Sequence, residues 1–287
     1  EIELDASGST EELSLRSGSS RFNLACLPVE DFPASNDADL ACRFQIPASE
    51  FRQLIDKTRF AISTEETRYY LNGIYLHAVT DGEIPVLRSV ATDGHRLARV
   101  EVDLPDGAAK MPGVIVPRKA VLELRKLLDS FEQPVDIALS ETKVRVAVGT
   151  AVLTSKLIDG TFPDYQRVIP EGNNKIMKID GDSFARAVDR VSTVSRDKSK
   201  AIKLSLHGDK LVLSANSPEQ GSASEALSVE YDSDDLDIGF NSRYVLDMTE
   251  QIEGKNMRFE MEDGASPTVV VDVDDARTVY VLMPMRV

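Results

Sequence analysis

The residues best suited to chemistry lie close together in the segment Asp93-Gly94-His95. A carboxylate and an imidazole held in one turn could activate a hydroxyl nucleophile, and Ser89 and Thr92 are near in sequence. However, Asp and His side chains between two strands usually cap the turn. We therefore predict that this segment has no catalytic role.

The sequence offers no other catalytic or metal-binding pattern. Its three histidines, His77, His95 and His207, lack metal-ligand spacing with each other or with Cys26 and Cys42. It has neither a phosphate-binding loop nor a dinucleotide glycine fingerprint. We expect no enzyme activity, no metal site and no cofactor. Two lone cysteines suit a reducing compartment better than a disulfide, which favours a cytoplasmic location.

Lysine and arginine recur at helical spacing within predicted helices. Arg52 and Arg59 lie about two turns apart and share one side of the first predicted helix. The cations that we expect to be exposed on these helices, or in the turn after the third, are Arg52, Arg118, Lys119, Arg125, Lys126, Arg186, Arg190, Arg196 and Lys198. These cations either lie on ordinary solvated helix faces or together form one basic surface.

The net charge of −15 opposes binding to a phosphate backbone if the charge is spread evenly. The acidic residues instead cluster in Asp232–Asp237 and Asp272–Asp275, away from the predicted helices. Similar cationic faces on repeated helices of an acidic protein favour a basic lining within an acidic shell.

The elements that position these residues follow a repeated order. Ile46–Phe51 and Ile179–Phe184 each open an amphipathic helix, and Val116–Leu124 is matched by Phe240–Met248. The four predicted helices are Pro47–Phe60, Arg118–Leu128, Asp182–Thr193 and Ser242–Ile252. Alternating apolar residues predict strands between them, which indicates an α+β fold with two helices on antiparallel sheets in each module.

Two strand predictions bear on the site. Arg68–Ala78 is predicted as one strand, so that Tyr69 and Tyr70 would point to opposite faces. Thr278–Val287 is predicted as an apolar final strand, although Pro284 indicates that the last residues leave the sheet. Glu12–Ser17 and Phe22–Leu27 read as the closing strands of an incomplete first module.

Six strings, in this order along the chain, resemble the bacterial β sliding clamp, the processivity subunit of the replicative DNA polymerase. They are Arg68–Gly73, Ala91–Leu97, Ile115–Lys119, Gly160–Tyr165, Gly239–Asn241 and Tyr280–Arg286. The resemblance implies tandem DNA-clamp modules arranged as an arc of a ring. Residues 1–36 would be the end of the first clamp domain, 37–165 the second and 166–287 the third.

The resemblance also implies a hydrophobic groove between the second and third domains that receives short linear peptides. The positions that match the family's motif are Leu71, Thr92, Gly94, His95, Arg96, Leu97, Pro163, Arg167, Val168, Asn241, Tyr244, Val281, Met283, Pro284, Met285 and Arg286. Expected occupants are peptides of the DNA polymerase III catalytic subunit, the clamp loader, other DNA polymerases and repair proteins.

Three further expectations follow from the resemblance. The loop before Arg68, with Tyr69 and Tyr70, would face duplex DNA together with the helix cations. Thr193 and Val194 would contact a second copy in a head-to-tail homodimer that encircles the DNA. The alternative is an interaction scaffold that binds peptides through the groove without encircling DNA.

Overall fold

A computed structural model describes residues 1–6, 11–31, 40–80, 84–195 and 200–287. The chain divides into two compact units, Glu1–Asp39 and Leu40–Val287. The predicted cations Arg196 and Lys198, and the predicted domain boundary at residues 36 and 37, lie outside the described residues.

The first unit contains one antiparallel sheet. Its strands are β1 (Glu3–Asp5), β2 (Glu12–Ser17) and β3 (Ser20–Ala25), in the order β1-β2-β3. Gly18, at a φ of +56°, makes the tight turn between β2 and β3, a conformation that favours glycine. A 3-10 turn follows at Val29–Asp31.

The second unit contains two consecutive repeats of one element order. The first repeat has helices α1 (Ala48–Arg59) and α2 (Arg118–Leu127). Its strands are β4 (Cys42–Ile46), β5 (Gly73–Val79), β6 (Val86–Thr92), β7 (Arg96–Asp103), β8 (Val114–Pro117), β9 (Val135–Leu139), β10 (Lys143–Val148) and β11 (Ala151–Lys156).

The second repeat has helices α3 (Gly181–Ser192) and α4 (Ser242–Thr249). Its strands are β12 (Lys175–Asp180), β13 (Ala201–His207), β14 (Lys210–Ser217), β15 (Gly221–Ser228), β16 (Glu230–Tyr231), β17 (Leu236–Asn241), β18 (Asn256–Met261), β19 (Thr268–Asp272) and β20 (Asp275–Leu282). The four predicted helices are thus confirmed, each within a few residues at its ends.

The two repeats share one sheet. Strands of both form a nine-stranded sheet in the order β16-β12-β18-β19-β20-β7-β6-β5-β8. The last strand of the second repeat, β20, pairs antiparallel with β7 of the first, from Thr278 opposite Val100 to Leu282 opposite Arg96. We call this pairing the seam. Two four-stranded sheets, β11-β10-β9-β4 and β15-β14-β13-β17, complete the unit.

The helices cover one face of the sheets. Phe51, Leu54 and Ile55 of α1 are buried against β5, β6 and β7, which supply Leu87 and Val100 to the same core. Because side chains alternate along a strand, the intervening residues of β5 to β7 face the other side. That second side carries a separate apolar cluster, described below.

The structure corrects the two strand predictions. Residues Glu66–Leu71 form a 3-10 helix, and the strand begins only at Gly73. Asn72 holds this turn, because its Nδ2 donates to the carbonyl of Glu65 and its backbone N–H to that of Tyr69. The final strand ends at Leu282 instead of reaching Val287, which confirms the expectation from Pro284 that the last residues leave the sheet.

Candidate functional site

An apolar groove of about 390 Å³ lies on the sheet face opposite the helices, at the seam. Its wall contains side chains of β6, β7 and β20, the turn at 66–71 and the segment that joins the two repeats. The lining residues are Arg68, Tyr70, Leu71, Thr92, Gly94, Arg96, Leu97, Pro163, Tyr165, Val168, Val281 and Met283. Nine of the predicted groove residues are therefore brought together.

The floor of the groove is built by the seam itself. Leu97 of β7 and Val281 of β20 stand directly opposite each other in the strand register, and both are buried. They belong to one apolar cluster with Leu71, Val90 and other residues. Val168 and Met283 stand above this floor with 44% and 37% of their surface exposed. The groove therefore offers a rigid apolar base with two accessible apolar side chains.

The turn that suggested chemistry is a capped β-turn. Asp93 Oδ1 accepts the backbone N–H groups of His95 and Arg96, at 2.9 and 3.1 Å. Asp93 Oδ2 accepts Arg96 Nε at 3.1 Å. Gly94 has a φ of +89°, a backbone conformation that favours glycine, and Arg68 Nη1 lies 2.7 Å from where a Cβ would stand. The carboxylate thus shapes the groove edge.

Arg96 ties this edge to the second repeat. Its Nη1 donates to Asp247 Oδ2 of α4 at 2.6 Å and its Nη2 to the Phe60 carbonyl at 2.7 Å. The guanidinium also lies 4.4 Å from the centroid of the Tyr244 ring. With 9% exposure, Arg96 is positioned mainly to join the two repeats beside the groove.

The other predicted groove residues lie outside the groove. His95, Asn241 and Tyr244 line a larger polar hollow of about 640 Å³, which Arg96 also borders. The His95 and Tyr244 rings stack there, with centroids 6.2 Å apart. Arg167 is exposed and forms an ion pair with Asp164 at 2.8 Å.

The C-terminal segment beyond β20 carries Pro284, Met285 and Arg286, and these do not line the apolar groove. The N–H of Met283 donates to the His95 carbonyl, and that of Met285 donates to the Gly239 carbonyl, both at 2.9 Å. The segment therefore crosses from the β6–β7 turn to β17 and holds Met283 at the groove.

Three lining residues were not predicted for the groove. Arg68 and Tyr70 were expected to face DNA, and both line the groove because 66–71 is a 3-10 helix and strand alternation does not apply. Tyr69 is 53% exposed, with its ring edge-on to Tyr70. Tyr165 is buried; the motif Phe162–Tyr165 was the sequence signal that could have indicated it.

Several predicted helix cations have hydrogen-bond or ion-pair partners within the protein. Arg125 forms ion pairs with Asp56 and Asp129. Arg190 forms a bidentate ion pair with Glu225, with N···O distances of 2.6 and 3.0 Å. The Arg190 guanidinium holds the pKa of Glu225 below its ordinary value. Lys126 pairs with Glu123, and Arg52 donates to the carbonyls of Leu128 and Asp129 at the end of α2.

Three predicted cations are exposed and differ from these. Within the ranges that the structure describes, the side chains of Arg118, Lys119 and Arg186 form no hydrogen bond or ion pair. Arg118 lines the polar hollow together with Arg59 and Arg243, so that α1, α2 and α4 border a common depression. Asp247 and Glu250 also line it, which makes its charge mixed.

The residues predicted for the subunit contact lie at the end of α3. Thr193 is exposed, and its Oγ1 donates to the Arg190 carbonyl at 2.7 Å. Val194 is half-buried against the main core. Over the described ranges, no cluster of His, Cys, Asp and Glu could hold a metal ion, and no helix is long and apolar enough to cross a membrane.

Known proteins match nearly the whole second unit. The family described as DNA polymerase III beta subunit, central domain, matches residues 45–164, and that described as its C-terminal domain matches residues 166–286. The beta sliding clamp of Caulobacter vibrioides (strain NA1000 / CB15N) is 51% identical over 287 residues, which is 100% of this chain and 77% of the relative.

Solved structures agree with these matches. The C. crescentus beta sliding clamp with polyethylene glycol bound to a proposed β-motif tethering region has a TM-score of 0.93 and 51% identity, covering 100% of this chain and 76% of that one. A sliding clamp from Bartonella birtlesii bound to griselimycin has a TM-score of 0.91 and 50% identity, with the same coverage. The chain therefore belongs to the bacterial β sliding clamp family, the non-catalytic processivity factors of DNA polymerase III.

Proposed function

We propose that the apolar groove is the docking site for short linear peptides of the proteins that the clamp tethers. The observation that supports this most strongly is the Leu97–Val281 floor, flanked by the half-exposed Val168 and Met283. An apolar pocket with a polar rim is the usual anchor for a few dominant side chains of a peptide. The β-motif tethering region proposed for the related C. crescentus clamp supports the same role here.

The expected occupants are the DNA polymerase III catalytic subunit, the clamp loader, other DNA polymerases and repair proteins. Met283 is unbranched and adapts to different partners, which suits a site shared among several peptides. Arg68 at the groove and the exposed Arg167 would hold polar atoms of the peptide at the rim. The parts of a peptide that extend beyond the apolar groove would contact the remaining predicted residues, which are His95, Asn241, Tyr244, Pro284, Met285 and Arg286.

The groove assignment is tested by truncating its exposed apolar side chains. The double variant Val168→Ala and Met283→Ala should bind a labelled C-terminal peptide of the DNA polymerase III catalytic subunit about tenfold more weakly in fluorescence anisotropy. The matched control is Val152→Ala with Val273→Ala, because these side chains are exposed elsewhere on the unit. Equal affinity of the groove variant and the control would refute the assignment.

We also propose that the protein encircles duplex DNA as a head-to-tail homodimer in the bacterial cytoplasm. Arg118, Lys119 and Arg186 would face the phosphates, and Thr193 and Val194 would lie at the subunit contact. Residues 1–36 would end the first clamp domain, and 37–165 and 166–287 would form the second and third. The repeated element order supports this division.

An interaction scaffold that never encircles DNA is the alternative, and retention distinguishes the two. A clamp assembled by the clamp loader should stay on nicked circular DNA and leave after the circle is linearised. A scaffold would bind the polymerase peptide and be lost equally from both forms of DNA.

A further inference from the structure

The wall of the groove that faces β20 across the floor belongs to the segment between the repeats. Residues 158–169 run over the side of the sheet opposite the helices, and Pro163, Tyr165 and Val168 of this segment line the groove. Apart from the 3-10 turn Tyr165–Val168, the segment has no regular structure of its own. Its position must therefore be fixed by contacts with the sheet beneath it.

Part of this contact is aromatic packing. The Phe162 ring stacks on Tyr75 of β5, with centroids 5.0 Å apart and planes 8° from parallel. Tyr75 in turn stacks on His77, at 4.5 Å. This packing holds the start of the wall at Phe162 and leaves Tyr165 and Val168 to be held by other contacts.

The other part is a polar anchor at Tyr165. Arg88 Nη1 donates to the Tyr165 hydroxyl oxygen at 2.7 Å, and His77 Nε2 lies 3.1 Å from the same oxygen. Tyr165 and Arg88 are 5% and 9% exposed, so the hydrogen bonds are shielded from water. Burial lowers the pKa of His77 to about 4, so the neutral ring can accept the hydroxyl proton of Tyr165.

The anchor is itself built into the strand register. His77, Arg88 and Glu101 stand opposite one another on β5, β6 and β7 and share the face opposite the helices. Glu101 Oε1 accepts both Arg88 Nε, at 2.8 Å, and Arg88 Nη2, at 2.7 Å. The carboxylate offsets the buried charge and fixes the guanidinium, which leaves Nη1 directed at Tyr165.

We propose that Arg88 and His77 are positioning residues of the peptide groove: they hold the Tyr165 hydroxyl and so preset the inter-repeat wall for its ligand. Neither residue lines the groove. A wall that is already in place spares the peptide the entropic cost of ordering it on binding. The inference rests on the proposed docking function of the groove.

The test is a double-mutant cycle on the anchor. Tyr165→Phe removes one oxygen and keeps the ring in the groove, and Arg88→Met removes its charged partner. Each should weaken binding of the labelled polymerase peptide by about tenfold, because hydrogen bonds to charged groups carry free energies of that size. The double variant should be no weaker than Tyr165→Phe alone, because that change already removes both bonds of the hydroxyl, to Arg88 and to His77.

Two controls distinguish positioning from general loss of structure. Tyr231→Phe removes the hydroxyl of a buried tyrosine that donates to the Asp234 carbonyl and does not line the groove, and it should leave the affinity unchanged. Retention of Tyr165→Phe on nicked circular DNA should equal that of the unmodified protein, whereas a broadly destabilised clamp would lose both activities.

Wild-type affinity in Tyr165→Phe would overturn the inference, as would additive losses in the cycle. Failure of the docking function itself looks different. In that case the unmodified protein would not bind the peptide, or the Val168→Ala and Met283→Ala variant would bind it normally.

Discussion

Gly239 occupies a position where no side chain can be accommodated. A Cβ there would lie 2.5 Å from the carbonyl oxygen of Met285 and even closer to the side chain of Val287. The backbone of the C-terminal segment therefore packs directly on β17, and the N–H of Met285 donates to the Gly239 carbonyl. Since Met283 precedes this contact, Gly239 helps to fix one side of the groove.

Gly239→Ala should displace the C-terminal segment and weaken peptide binding several-fold, because Met283 loses its fixed position. Hydrogen exchange at the Met285 amide should accelerate in the same variant, since the bond to Gly239 is lost. Gly172→Ala is the matched control, because a Cβ at Gly172 meets no atom within 4 Å. Unchanged exchange and affinity in Gly239→Ala would contradict this prediction.

The sequence predicted single groove residues where their signal was local. Leu97 and Val281 were identifiable because each lies in an apolar strand within a recognisable motif. Tyr165 was missed because its role depends on Arg88, which is distant in sequence and contacts it only in the fold. Arg68 and Tyr70 were not predicted for the groove because the Asn72 side-chain bond to the Glu65 carbonyl, which helps to hold the 66–71 turn, leaves no signal in the periodicity.

At the scale of elements, helix α2 separates two kinds of cation. Arg125 and Lys126 lie in its last turn, where positive charge suits the helix dipole, and both have acidic partners. Arg118 and Lys119 lie in its first turn, where the dipole disfavours them and where the turn itself contains no acidic residue. Their placement does not serve helix stability, which favours a role in contacting phosphates.

Arg118→Glu with Lys119→Glu should lower retention on nicked circular DNA and reduce its salt dependence by about one unit of slope per cation lost. The melting temperature should not fall, because acidic residues suit the start of a helix. Lys143→Glu with Lys156→Glu makes the same charge change on paired strands β10 and β11. Equal retention of both variants would argue against a basic surface on α2.

Helix ends were predictable because capping signals and the 3.6-residue period are local. Asp180 caps α3 by accepting the Ser183 N–H at 2.8 Å, and Asn241 caps α4 by accepting that of Arg243 at 3.0 Å. Sheet order was not predictable in this way, since the β20–β7 pairing joins residues that lie far apart in the chain.

For the unit as a whole, the seam is supported by ion pairs that bridge the repeats. Lys57 of α1, 5% exposed, donates to Asp275 Oδ2 of β20 at 3.0 Å, and Arg96 reaches Asp247 of α4. Burial raises the pKa of Asp275, but the hydrogen bonds from Thr278, Lys57 and the Arg277 backbone, with the charge of Lys57, together hold it below its ordinary value. Because buried pairs are costly to break, these contacts favour one fixed arrangement of the two repeats.

The buried His77 predicts how the stability of this unit depends on pH. Its pKa is about 4 in the folded protein, chiefly through burial, against 6.5 for a free side chain. Between these values the unfolded chain binds a proton that the folded one does not, so stability is complete above about pH 6.5 and falls towards pH 4. The hydrogen bond with the Ala78 backbone and the Glu101 carboxylate raise the pKa of His77, whereas the nearby Arg88 lowers it further.

His77→Phe should therefore flatten the loss of unfolding free energy between pH 6.5 and 4, measured by urea denaturation at several pH values. His207→Phe, at an exposed position on β13, is the control. An unchanged slope in His77→Phe would show that other groups, such as the carboxylates, account for the acid sensitivity.

Because the groove floor is a Leu97–Val281 pair contributed by both repeats, its ligand site exists only while the seam is closed. An occupant that binds the closed form alone must stabilise the join by mass action, in proportion to its affinity and concentration. A polymerase bound in the groove would therefore also stabilise the pairing of β7 with β20, so that the bound polymerase makes the clamp more resistant to opening at the seam.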